Sequence, residues 1–172
     1  VLQRANIPFY LSGTECVLDK KIIQNILCAI DAALGGFSQK DVFQYMKSFL
    51  TPLSLDQSDR IENYCVLWSI DGNRWTTPWE NHPKGLVEQW TDYDHRKLDA
   101  LNESRRRVID PLVHLRKAFH AANNVRQQVL SIYAFFEEIH LKKKLEALAA
   151  ELDRNAEFRN SQIVNQIWEL LL

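Results

Sequence analysis

The sequence predicts a mainly α fold: about seven helices, one short N-terminal strand and an ordered Trp- and Pro-rich loop. Three observations carry this. From Asp19 onward apolar residues recur at three- and four-residue spacing almost to the end. Helix-start residues (Ser38, Ser54 and Asn124) stand directly before such stretches. Five Gly and five Pro are too few for the many turns of a sandwich or barrel.

The elements follow in order. Ile7-Pro8-Phe9-Tyr10-Leu11, closed by Ser12-Gly13, reads as the strand. Ile22, Ile23, Ile26, Leu27, Ile30, Ala33 and Leu34 line a first helix, which Gly35-Gly36 stops. Ser38 with Asp41 predicts a variant capping box for a second helix. Val42, Tyr45, Met46, Phe49 and Leu50 form its inner stripe, and Pro52 ends it. Ser54 and Gln57 repeat the cap for a third helix, with Leu55, Ile61, Tyr64, Cys65 and Trp68 inward. Asp71-Gly72-Asn73 is a turn.

Residues 74–90 show no period but hold Trp75, Trp79, Trp90, Pro78 and Pro83. They read as a loop laid over the core and pinned by indoles, each able to bury about 200 Å². Stacking of nucleic-acid bases is the other use such indoles could have. From about Asp94 a long stripe runs through Leu98, Leu101, Val108, Leu112, Leu115 and Phe119, and Pro111 is expected to kink or divide it near Asp110. Asn124 opens a helix with Val125, Val129, Ile132, Phe135, Phe136 and Ile139. A shorter one carries Leu145, Leu148 and Leu152, and the last runs from about Glu157 through Phe158, Ile163, Ile167, Trp168 and Leu171.

At 172 residues, 46% apolar and 25% charged, the chain can bury a full core without a metal or disulfide staple. No apolar run approaches the ~18 residues of a membrane span. Cys16, Cys28 and Cys65 form no Cys-x-x-Cys and fit reduced thiols, hence a cytoplasmic location. The first residue is Val1 and the last ones, Ile167 to Leu172, stop inside a helical pattern, so a piece of a longer polypeptide is expected. No nucleotide-binding glycine loop is present, and no Ser sits in Gly-x-Ser-x-Gly. His82, His95, His114, His120 and His140 are never three or four apart and read as partly exposed side chains rather than ligands. Asp59-Arg60-Ile61-Glu62 resembles the acidic core of some nucleases but lies in a helical pattern with no following strand and Lys, so a solvated helix face is expected. No catalytic, cofactor-binding or metal-binding residue is assigned.

Charge distribution is more informative. Residues 105–144 hold nine basic and three acidic residues, net +6, within a chain whose net charge is −1. Arg105, Arg106, Arg116, Lys117, Lys142 and Lys143 are the candidate contacts to DNA phosphates or to a partner protein. Neighbouring residues on a helix diverge by about 100°, so Arg105, Arg106 and Arg107 cannot all face one ligand. A solvated surface paired with Asp99, Glu103 and Asp110 is the alternative.

The order of elements carries a resemblance. Ala5-Asn6-Ile7-Pro8-Phe9-Tyr10-Leu11 followed by two helices resembles the passage from the second motor domain into the helical 2B insertion of UvrD-type helicases. Asp41 to Lys47, Asp59 to Leu67, Ile70 to Trp75, Leu101 to Arg107 with Asp110-Pro111-Leu112, Ile132 to Glu137 and Gln166-Ile167-Trp168 resemble the AddB component of AddAB (RexAB-type) helicase–nucleases. The resemblance implies residues 1–12 as the end of a helicase-like 2A domain and residues 13–172 as a helical 2B-like domain, truncated at its C-terminus. It also implies an AddA-type partner, a role in processing double-strand DNA breaks for recombination, and ATP, magnesium and an iron–sulfur cluster held elsewhere in the parent protein. On this basis the chain is expected to be a non-catalytic module for DNA or subunit contact. A helical protein-interaction scaffold with no nucleic-acid role is the alternative, and a stand-alone enzyme with a purely spatial site is a third.

Overall fold

The computed structural model describes residues 20–87 and 89–171. Its helices are α1 (Lys21–Leu34), α2 (Gln39–Met46), α3 (Leu55–Trp68), α4 (Asp92–Ala121), α5 (Val125–Glu138), α6 (Leu141–Arg154) and α7 (Phe158–Leu171), with a 3-10 turn at Gly72–Trp75. The expected mainly α class with seven helices therefore holds among the described residues. The proposed strand at residues 7–11 lies outside them.

Helix α4 is the spine. At 30 residues it is about 45 Å long. Helices α1, α3 and α5 pack on it; α2 pairs with α1, α6 with α5, and α7 with α6. The small side chains Ala29, Ala32 and Ala33 of α1 are fully buried and allow a neighbouring backbone close approach. Ile109, Leu112 and Leu115 supply the buried face of α4.

Local chemistry sets the boundaries. Gly36 takes φ +90° and Phe37 N–H donates to the Ala32 carbonyl at 3.0 Å, the closing bond of a Schellman stop after α1. Ser38 caps α2 by accepting from Asp41 N–H, while its hydroxyl donates to the Asp41 carboxylate at 2.6 Å. Ser54 and Gln57 form both bonds of a capping box on α3, and Thr91 and Asp94 do the same on α4.

Several expectations are corrected. Helix α2 ends at Met46, short of Leu50. Ser48 donates to the Tyr45 carbonyl and accepts from Leu50 N–H, replacing the next helical bonds by local ones. Pro111 does not divide α4, which runs unbroken through it. Buried Val108, Ile109, Leu112 and Leu115 anchor the helix on both sides, and their packing outweighs the ~3 kcal/mol a proline costs inside a helix. Leu55 faces solvent, 78% exposed, because it belongs to the first turn of α3, beyond the reach of α4. On α5 the buried stripe is Ser131, Phe135 and Phe136, leaving Val125 and Val129 outside, and Phe158 of α7 is likewise exposed.

Residues 76–91 form the ordered cover expected of them. Trp75 and Trp79 are buried, 5.5 Å apart between ring centroids. Trp79 stacks on Tyr64 of α3 at 4.8 Å, and its N–H and C=O are both held by the Asn102 amide of α4 at 2.8 Å. Tyr64 Oη donates to the Asn81 carbonyl and Trp68 Nε1 to that of His82. Packing therefore accounts for Trp75 and Trp79, which have no face left for a nucleic-acid base.

Candidate nucleic-acid interface

The basic residues singled out by sequence do not form one strip. Arg105 is the clearest departure: it is only 4% exposed and points into the core. Its Nη1 donates to the Trp75 carbonyl at 2.7 Å, its Nε to Asn102, and its guanidinium lies 5.9 Å from the Trp79 ring centroid. Burial disfavours its charged form and lowers its pKa. It braces the loop and cannot reach a phosphate. Arg106 and Arg107 instead reach back to Glu103 at 2.6 and 3.3 Å, the expected solvated pairing. The bonds from Arg106 and Arg107 hold the Glu103 carboxylate below its usual pKa.

Arg116 and Lys117 do meet. They line a groove of about 700 Å³ with His114, His120 and Asp110 on α4 and with Phe37, Asn73 and Thr76 opposite. Asp110, His114, Lys117 and His120 recur at three- and four-residue steps, placing them on one helix face. The facing wall exists because Gly72 N–H donates to the Phe37 carbonyl, which ties the 3-10 turn to the end of α1. Arg116 lies over the Phe37 ring at 5.2 Å, and its buried Nη1 has no hydrogen-bond partner among the described residues. Such a group favours an acceptor that enters the groove. His114 is committed to Glu138 of α5 at 2.9 Å.

Lys142 and Lys143 lie on α6, outside that groove. Both are exposed, and Lys142 sits 6.0 Å from the Trp168 ring of α7. The neighbouring Lys144 is turned inward and donates to the Leu50 carbonyl, with burial lowering its pKa. Asp59 and Glu62 stand on α3 as expected of a solvated face, and Glu62 pairs with Lys47 at 2.6 Å.

His82 corrects the expectation of partly exposed histidines, being buried beside an equally buried Asp94. Asp94 caps α4, pairs with Lys84 at 2.9 Å and lies 3.5 Å from His82 Nε2. Thr91 and Lys84 together depress the Asp94 pKa well below the carboxylate range. A depressed folded pKa means the bonds stabilise fully above the ordinary carboxylate value and are lost as pH falls through the folded one. Acid denaturation below about pH 4 is expected to be steeper for this chain than for Asp94→Asn, measured by thermal melting across pH. Parallel acid limbs would contradict this.

Sequence reading missed Tyr93, Arg96 and Lys97. Asp92, Asp94, Asp99 and Glu103 neutralise this stretch on paper, although Tyr93 and Lys97 are four apart on one face of α4. Among the described residues no group of three or more His, Cys, Asp or Glu could hold a metal, and no helix is long and apolar enough to cross a membrane. Cys28 and Cys65 do not suit an iron–sulfur cluster. Both are buried, and desolvation raises the Cys28 pKa to about 11 and that of Cys65 further, away from the thiolate a cluster needs.

The arrangement is that of a helical module with separate cationic surfaces and a braced aromatic loop. No protein-family model matches it. Over its whole length the chain is 29% identical to the AddB-type component of the ATP-dependent helicase/deoxyribonuclease of Bacillus pumilus and 26% identical to that of Clostridium botulinum. Over 96% of its length it is 28% identical to the component of the same name from Anoxybacillus flavithermus. The chain spans 16%, 15% and 15% of these relatives. The resemblance to AddB/RexB-type proteins read from the sequence is borne out by these matches.

Proposed function

We propose that this chain is a non-catalytic, 2B-like module of an AddB-type helicase/deoxyribonuclease component, and that it contacts duplex DNA during the repair and recombination of double-strand breaks. The observation that carries the reading is the whole-chain match to relatives of that name. Arg116, Lys117, Lys142 and Lys143, which make no ion pair among the described residues, would supply the phosphate contacts. The parent protein would work in the cytoplasm with an AddA-type partner. ATP, magnesium and an iron–sulfur cluster would be held in other parts of it.

Each phosphate contact on duplex DNA contributes about 0.9 to the slope of log affinity against log salt. Replacing Arg116, Lys117, Lys142 and Lys143 by Gln is therefore expected to weaken duplex binding and to flatten that slope by about 3 to 4, read by fluorescence anisotropy at several salt concentrations. An unchanged slope would remove these side chains from the interface.

The exposed apolar face of α5 (Val125, Val129, Leu130 and Tyr133) favours a second reading, contact with another protein of the complex. Absence of any salt-sensitive DNA binding would leave that as the sole role.

A further inference from the structure

A second cationic groove, of about 250 Å³, lies between the first turns of α3 and α4. Arg60 and Gln57 form one side; Tyr93, Arg96, Lys97 and Ala100 form the other. It contains three cations and no carboxylate in its lining. Arg60 is paired with Asp56 at 2.7 Å on the outer side of α3. Arg96 and Lys97 make no ion pair or hydrogen bond among the described residues.

Tyr93 remains 60% exposed at the edge of this groove. Its position is set from below. Lys84 Nζ stands 5.8 Å from its ring centroid, and Lys84 is itself held by the buried Asp94 carboxylate at 2.9 Å. The ring is thus oriented by the cap of α4 yet left open to solvent. Trp90 is used differently, stacked on His95 at 4.7 Å.

An open ring beside unpaired cations over an apolar floor is the chemistry that binds one nucleotide unit: the base stacks and the phosphates meet the cations. We infer that this groove is a seat for single-stranded DNA, with a base on Tyr93 and the flanking phosphates on Arg96, Lys97 and Arg60. A base paired within a duplex cannot present its face to Tyr93, so the seat distinguishes a single strand from the duplex contacted by Arg116, Lys117, Lys142 and Lys143. The inference rests on the nucleic-acid reading above and uses different residues.

The test titrates the 172-residue chain against a fluorescein-labelled oligothymidylate and a blunt duplex. Tyr93→Ala is expected to weaken single-strand binding roughly 5- to 100-fold, with Tyr93→Phe close to the parent. Duplex affinity should change little in either. Arg96→Gln with Lys97→Gln should flatten the single-strand salt slope by about 1.4. These side chains are solvent-facing, so melting temperature serves as the check that each variant is folded. Equal single-strand affinity for the parent chain and Tyr93→Ala, or equal losses on both probes, would overturn the seat. Salt-sensitive duplex binding with no Tyr93 effect would overturn the seat alone. Tyr93-dependent single-strand binding with no duplex binding would overturn the duplex reading alone. Binding to neither probe would overturn both.

Discussion

Arg105→Ala is expected to destabilise the chain by about 2–4 kcal/mol and to leave DNA binding of the surviving folded protein unchanged. The guanidinium satisfies the buried Trp75 carbonyl, holds Asn102 and covers the Trp79 indole. Alanine removes a charge-assisted bond and leaves a space between loop and helix at once. For a chain of this size that corresponds to a drop in melting temperature of about 5–15 °C. Arg106→Ala, one residue on, removes only an exposed pair with Glu103 and should leave the melting temperature unchanged. Similar melting temperatures for the two variants would show that Arg105 is not a structural brace. A fall in DNA affinity for folded Arg105→Lys, measured at one salt concentration beside the parent, would return it to the interface.

Trp75→Ala should be costlier, about 3–5 kcal/mol, because an entire indole in the middle of the core is lost. Trp75 is fully buried, meets Phe43 of α2 edge-on at 6.1 Å and abuts Trp79. It is the joint through which the loop over α3 and α4 communicates with α2. Its Nε1 is buried without an acceptor, so Trp75→Phe gives up packing volume but no hydrogen bond and should be milder. Limited proteolysis should cleave the alanine variant within residues 76–91 faster than the parent chain. Equal cleavage rates would place the anchor of the loop elsewhere, with Trp79 and its Asn102 clamp the next residue pair to test.

Both predictions turn on residues whose type was conspicuous in the sequence and whose role was not. Three successive arginines read as one basic cluster, yet the 100° step of the helix sends Arg105 inward to the loop and leaves Arg106 and Arg107 with Glu103. The tryptophans were legible as loop anchors, since large indoles beside prolines have few other uses. Tyr93 was not legible, because its exposure depends on how Lys84 and Asp94 seat the start of α4. The groove around Arg116 and Lys117 was half legible. Their positions on α4 follow from periodicity, whereas Phe37, Asn73 and Thr76 arrive from distant parts of the chain.

Helix number, most helix starts and the glycine stop after α1 were determined by local sequence, because caps and apolar periodicity act within a few residues. The tertiary structure decided what local signals cannot carry. It kept α4 whole through Pro111, because buried neighbours on either side outweigh one missing hydrogen bond. It turned Val125 and Val129 outward, because α4 and α6 contact only one side of α5. It also divided the basic residues between core, surface pairs and grooves, because which cation is free depends on long-range neighbours whose geometry no spacing rule contains.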